Sequence, residues 1–474
     1  MTGVSTRIVT MMKRGIHAVA LFGVLALCGC RQGNYRTDAP DPELLHTAVR
    51  QLTSVIVYDI FSPPQASRVY AYASIAAYET LRQHHPEYRS LAGQLHGLNP
   101  VPAPSADSEY YLPLAGVHAF MTVSHALTFS RARMDSMRLE MDLRYKRMDI
   151  PGPVYDRSIT YGEAVAKHIL AWAATDSFVL TRSYPKYSVT AQPGRWSPTP
   201  PAYMDAVEPN WGRLRPFVMD SAGAFRPRDP IAFDTTEGSP FLRQVREVYE
   251  TGKHLTAEQK AIAAFWDCNP YVMHVQGHTM FATKKITPGG HWMGIAGIAA
   301  HSTNADIVKS AESYARMSVA LADGFISSWD EKYRTNVIRP ETVINTYVDD
   351  AWLPLLQTPP FPEYTSGHSV ISNAAAVVLT DQYGDGFSFK DTSEVDYGLP
   401  PRTFPSFRKA AEEAAISRMY GGIHYRQAIE EGSVQGQKIG QLVVQRVRTR
   451  GDSGVPRTNV ASGNSAQSPK SPNH

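Results

Sequence analysis

Disulfide chemistry has little to work with in this chain: three cysteines, at positions 28, 30 and 268, are spread through 474 residues. A small scaffold stapled by disulfides is excluded, so the fold must be held by its core. Charge of either sign is also sparse. Charged residues make up 19%, and 47 Lys and Arg against 44 Asp and Glu leave a net charge of +3. That balance excludes a protein whose main business is coating nucleic acid or an anionic membrane. The apolar run from Ala18 to Leu27 is too short to span a bilayer unaided, and strand-type alternation is scarce. What is abundant is core material. With 43% apolar and 10% aromatic residues the chain is neither disordered nor collagen-like.

Helical periodicity dominates. From Pro42 to Phe61, Leu45, Val49, Leu52, Ile56 and Ile60 recur every three or four residues, one face of an amphipathic helix. Pro63-Pro64 is expected to break it, and Ser67 to Leu81 reads as a helix apolar nearly all round, hence buried on several sides. Further helices are expected over 113–147, 156–174, 256–267, 304–333, 367–383, 406–420 and 426–448. The nine prolines between Tyr184 and Pro230, with Trp196 and Trp211 among them, predict a long ordered excursion packed over the helices. The fold class is therefore all-α, a large helical bundle with a Pro-rich loop excursion.

The N-terminus carries processing signals. Lys13 and Arg14 precede the apolar run, and Leu27-Cys28-Gly29-Cys30 resembles a bacterial lipobox. The resemblance implies a signal peptide over 1–29, lipid attachment at Cys30, and a mature protein exported to the cell envelope and tethered to membrane by that lipid alone. A tether over 30–41, a helical region over 42–303, a catalytic region over 304–450 and a disordered tail over 451–474 complete the expected organisation.

Three stretches place cations, histidines and small residues where a helical core would carry apolar ones. In the first, Lys332 and Arg339 are seven residues apart, close to two helical turns; Pro340 disfavours helix at Arg339, and Trp329 can wall the same face. In the second, Phe361-Pro362-Glu363-Tyr364-Thr365-Ser366-Gly367-His368 opens an apolar helix. Its free N–H groups, the Ser366 hydroxyl and the bare Gly367 backbone suit an anion, with His368 placed as acid or base. In the third, a helix bearing Arg418 should stop at Gly421-Gly422, letting His424 enter from the following turn. Taken singly, each has an ordinary explanation: a solvated basic helix end, a helix cap, a core histidine.

Together, Lys-x6-Arg-Pro, Ser-Gly-His and Ser-Arg-x3-Gly-x-His resemble the signature of the phosphatidic acid phosphatase type 2/vanadium haloperoxidase superfamily, over Trp329 to Glu431. The resemblance implies that Lys332, Arg339 and Arg418 neutralise the oxygens of a tetrahedral oxyanion. Ser366 and the Gly367 N–H would bond to it, His424 would bind its central atom, and His368 would handle the proton. Trp329 and Phe361 would line the pocket. Two chemistries share such a site. In one, vanadate bound at His424, its metal ligand, serves the oxidation of halide by hydrogen peroxide. In the other, no cofactor is held and a phosphomonoester is hydrolysed through a phosphohistidine. A Trp-x-x-Lys arrangement, Phe361 in Pro-Pro-Phe-Pro and the length of the chain favour the haloperoxidase. A non-catalytic, lipid-anchored binding protein with a degenerate site is the weaker alternative, since every site position is filled.

The sequence departs from the family at Thr365, where proline is usual, and at Ala428, where an acidic residue usually stands behind the last histidine. Glu430 or Glu431 is a candidate replacement, and lack of a carboxylate there argues against the phosphatase. His274 and His278 would lie one turn apart if helical, with His291 following, a spacing that admits zinc but lacks a catalytic glutamate and favours pocket or core roles. Asp267 is a candidate support for a site arginine. Gly432, Gly436 and Gly440 form a stripe suited to close helix contact.

Overall fold

The computed structural model describes Tyr35 and residues 40–190 and 192–451. The expected signal peptide, Cys30, nearly all of the 30–41 tether and the tail beyond Gly451 lie outside the described residues.

Fourteen α-helices and two small hairpins make up the regular structure of the described residues: α1 Glu43–Tyr58, α2 Pro63–Leu81, α3 Leu112–Leu127, α4 Arg131–Lys146, α5 Gly152–Ala173, α6 Phe178–Thr181, α7 Pro240–Lys253, α8 Ala257–Phe265, α9 Pro288–Ser302, α10 Ile307–Thr335, α11 Pro340–Tyr347, α12 Gly367–Tyr383, α13 Phe407–Tyr420 and α14 Arg426–Arg446. Strands β1 Val272–Gln276 and β2 Thr279–Thr283 pair antiparallel, as do β3 Phe389–Asp391 and β4 Arg402–Phe404.

The helix α10 is the axis of the molecule. It packs on α2 among the first helices and on α12 among the last, so one core runs through both regions. Every residue of α2 but Gln65 is buried, as its all-round apolar sequence requires. On the other side α12 packs against α13 and α14. The glycine stripe of α14 explains how closely it approaches: a Cβ on Gly436 would lie 2.0 Å from the Val370 carbonyl oxygen, and one on Gly440 2.7 Å from that of Ala374.

Several expectations need correction. The expected break between the first two helices is there, but Pro63-Pro64 lies beyond it and begins the second, four residues before the expected Ser67: Ser62 caps α2 by accepting the Gln65 N–H, and a proline in the first turn gives up an N–H that has no partner there. The expected 113–147 helix is two, parted at Thr128–Ser130, where Asp59 accepts the Phe129 and Ser130 N–H groups at 3.0 Å. Residues 274–278 are not helical; His274 lies on β1 and His278 beside the hairpin turn, both exposed, so they are not one helical turn apart. The helices α7, α9 and α11 were not expected. Pro288-Gly-Gly reads locally as a turn, yet Thr287 caps α9, and its glycines let packing override their weak helix propensity. The segment from Tyr184 to Pro230 is irregular apart from one 3₁₀ turn at Trp211–Arg213, and it buries Trp196 and Trp211.

Candidate active site

The three cationic stretches converge because helices end there. Asn336, in the left-handed conformation, terminates α10 one turn beyond Lys332. Arg339 is not on that helix, contrary to the two-turn argument; it is the extended residue before Pro340 and turns back from the start of α11. Ser366 caps α12 by accepting the Ser369 N–H at 3.3 Å, leaving the Gly367 and His368 N–H groups without helical partners. After α13, Gly422 takes φ +75°, open only to glycine at low cost, and directs His424 inward. Trp329, Phe361, Gly367, His368, Arg418 and His424 thereby share the wall of one cavity of about 30 Å³. At roughly 10–15 Å³ per water on such a scale, that is the size of a small oxyanion.

The His424 ring is fixed from both sides. Its Nδ1 lies 2.7 Å from Glu363 Oε1, and its Nε2 lies 3.2 Å from Arg339 Nη1. Arginine can only donate, so Nε2 is the lone-pair atom and Nδ1 carries the proton given to Glu363. Glu363 also accepts the Tyr425 N–H at 3.0 Å. This carboxylate is the functional residue that sequence reasoning missed. Glu363 stands behind His424 in the place expected of Glu430 or Glu431. Glu430 is exposed, and Glu431 pairs with Arg228. The signal was an acid inside an otherwise apolar, aromatic run three residues before Ser366. With a carboxylate present, Ala428 no longer argues against a phosphatase.

The cations are held by carbonyls, with donors to spare. Arg339 donates through Nε to Phe361 O at 2.9 Å and through Nη1 to Ile423 O at 2.8 Å, but its buried Nη2 has no partner. Arg418 donates from Nη1 to Trp266 O at 2.7 Å, while its Nε is buried and unpartnered. His368 Nε2 is likewise orphaned. Buried polar atoms left without partners cost about 1–3 kcal/mol each, so two on the wall of one cavity and a third on the arginine against His424 mark a place for an acceptor-rich group. Lys332 differs: all three of its donors go to carbonyls, of Pro362 and Glu363 at 3.0 Å and of Thr365 at 2.5 Å. It folds the cradle around itself and offers its charge rather than a free hydrogen bond. Asp267 pairs with Lys285 and makes no hydrogen bond to Arg418.

Electrostatics agree. Burial, then the Arg339 charge, holds the Lys332 amine well below its ordinary range, and burial brings Arg339 down to about 10. Burial and then Arg339, Lys332 and Arg418 push His424 well below 6.5. His368 is depressed by burial and then by Arg418 and His291. Burial raises Glu363 to about 7, against the pull of Arg339 and Lys332. Three buried cations thus face one reluctant carboxylate, and an anion relieves the imbalance.

A family model described as the VCPO second helical-bundle domain matches residues 312–452. No curated protein matches the chain. Among solved structures, it is similar to the first bacterial vanadium-dependent iodoperoxidase, with 50% identity, a TM-score of 0.83, and coverage of 88% of this chain and 99% of that one. It also resembles a bacterial vanadium-dependent chloroperoxidase in two forms. The holo-type has 16% identity, a TM-score of 0.64 and coverage of 82% and 93%. The apo-type has 17% identity, a TM-score of 0.62 and coverage of 80% and 92%. At those identities the likeness is one of fold.

Proposed function

Since the chain belongs to the vanadium-dependent haloperoxidases, we propose that it uses vanadate held in the His424 cavity to oxidise iodide with hydrogen peroxide. The observation that carries the site assignment is that Arg418, with its Nε, and His368, with its Nε2, both buried and unpartnered, share a cavity wall with His424, whose ring Arg339 touches while its own Nη2 stays unpartnered. Iodide is chosen because the half-identical relative is an iodoperoxidase.

Vanadate, when bound, supplies a Lewis acid that makes peroxide oxygen electrophilic toward halide. The chain's own groups do the rest. His424 presents the Nε2 lone pair to the central atom, its tautomer fixed by Glu363. Arg339, Arg418 and the first N–H groups of α12 would donate to its oxygens, and Ser366 would complete the cradle as the cap of that helix. Lys332 adds charge. His368, kept neutral by burial and by its cationic neighbours, would take up and give back a proton at Nε2 beside the peroxide. Trp329 and Phe361, with ring centroids 4.9 Å apart, keep water from the wall.

The test is vanadate reconstitution of the purified full chain, followed by peroxide-dependent oxidation of iodide, bromide and chloride, beside hydrolysis of an aryl phosphate. Iodide oxidation that requires vanadate supports the reading. Phosphate hydrolysis without halide oxidation overturns it.

Export and lipid anchoring at Cys30 are proposed from the sequence; among the described residues no helix is long and apolar enough to cross a membrane. Metabolic labelling with palmitate, present in the full chain and lost in Cys30→Ala, is the expected result.

A further inference from the structure

At the wall of the vanadate cavity, three buried side chains, Cys268, Asp391 and Glu394, meet at the imidazole of His291. His291, on α9, has Nδ1 3.4 Å from Cys268 Sγ and 3.0 Å from Glu394 Oε1, and Cys268 Sγ lies 3.7 Å from the same Glu394 oxygen. On the far side of the ring, Nε2 lies 2.8 Å from Asp391 Oδ2. His291 and Asp391 are fully buried, and Cys268 and Glu394 are 1% and 5% exposed.

We propose that Cys268, His291 and Glu394 supply three ligands of a zinc site whose fourth is a water from the adjoining cavity, with Asp391 orienting the histidine. A tetrahedral zinc ion, with bonds of about 2.0–2.3 Å, spaces its N, O and S ligands roughly 3.3–3.6 Å apart. The three separations here, 3.0, 3.4 and 3.7 Å, bracket that range, and the three ligand atoms all lie within 4.8 Å of one another. The carboxylate on the opposite ring nitrogen is what a metal-bound histidine needs, because it keeps the proton on Nε2 and leaves the Nδ1 lone pair for the ion. The mixed nitrogen, oxygen and sulfur donors suit a borderline-soft divalent cation. Zinc is the choice beside a cavity that handles peroxide, since it has no redox chemistry of its own.

The site ties the loop after α8 to α9 and to the loop after β3. That loop begins with Trp266, whose ring stacks on His291 at 4.5 Å and whose carbonyl holds Arg418 at 2.7 Å. Cys268 itself and Asn269, Pro270 and Tyr271, next along the loop, line the cavity. Zinc would therefore brace the wall that carries Arg418. Without metal, protons occupy the same place: His291 is held well above 6.5, burial being overcome by the Asp391 charge, and the Cys268 thiol is raised to about 11 by burial. Binding displaces one proton from the thiol and one from the imidazolium, giving a neutral imidazole, a thiolate and a carboxylate around the ion.

The experiment is metal analysis of the full chain purified from zinc-supplemented medium, with zinc and vanadium counted separately. The site requires about one zinc per chain. After zinc removal with dipicolinate, cobalt(II) should give intense visible bands and a sulfur-to-cobalt charge-transfer band, the latter absent in Cys268→Ser. Asp391→Asn should weaken zinc binding about 10–100-fold. Wild-type chain that is isolated without zinc, and after dipicolinate binds neither zinc nor cobalt, overturns the proposal and leaves an ion-paired hydrogen-bond cluster. The reading does not depend on halide oxidation, because metal content is measured whether or not the enzyme turns over.

Discussion

His424 and His291 are both deeply buried in one helical core and both touch carboxylates, yet they settle in opposite charge states. Around His424, burial is reinforced by Arg339, Lys332 and Arg418, and the ring is held neutral with Nε2 as its acceptor, facing Arg339. Around His291 the same burial is outweighed by Asp391, with Glu394 on the other nitrogen, and the ring is held charged. Burial alone therefore does not set a histidine's role; the sign of what is buried with it does. One arrangement awaits an anion and the other a cation.

Removing the acceptor from the first environment should have the largest effect. His424→Ala is expected to cut vanadate-dependent halide oxidation by about 10³-fold or more, read as kcat/KM for iodide. Unchanged turnover would remove His424 from the mechanism. Glu363→Gln tests whether that histidine needs its carboxylate: a loss of about 10–100-fold in vanadate affinity or activity is expected, by titration of the metal-free chain with vanadate.

Lys332→Ala leaves three carbonyls without their donor and removes a buried charge. Vanadate retention should weaken about tenfold, and stability should fall by about 1–3 kcal/mol, measured by dialysis and by denaturant unfolding.

The pH dependence of stability separates the two settings further. Glu363 is raised from 4.5 to about 7 in the folded chain, so the folded state holds this proton longer than the unfolded one. Its contribution is full below about pH 4.5 and is lost as pH rises toward 7, by an amount of the order of 3 kcal/mol. His424, depressed below 6.5, works the other way and loses its contribution as pH falls. The difference between wild type and Glu363→Gln, measured without vanadate, should thus decline from pH 4.5 to 7; a flat difference would contradict the burial argument.

The smallest effect is expected from Asp391→Asn in metal-free protein, where the His291 ring should titrate at lower pH by nuclear magnetic resonance and so move toward the state of His424. A ring that stays charged across neutral pH would shift the credit to Cys268 and Glu394 on its other nitrogen.

Much of the fold was legible because helical periodicity is a local property. The faces of α1, α10, α12, α13 and α14 can be read from apolar spacing, and the glycine stripe of α14 from its interval of four. Where packing overrode local preference the reading failed, as at the glycine-rich α9, while the start of α2 was misplaced for a local reason, since a diproline after a serine cap suits a first helical turn. The cationic and histidine residues of the site were likewise visible as motifs, because each sits at a helix end that glycine, proline or a cap dictates.

The sequence by itself determined which cations, which histidines and which helix N-terminus were available. Only the tertiary structure decided who stands behind whom. Glu363, not an acid on α14, orients His424; Arg339 reaches His424 from the start of α11, not along α10; and Cys268 and His291 meet Glu394 and Asp391 across a hundred residues of chain or more. Hydrogen bonds and charge pairs are made by proximity in space, and no spacing along the chain encodes which distant carboxylate folding will bring to within 3 Å of an imidazole.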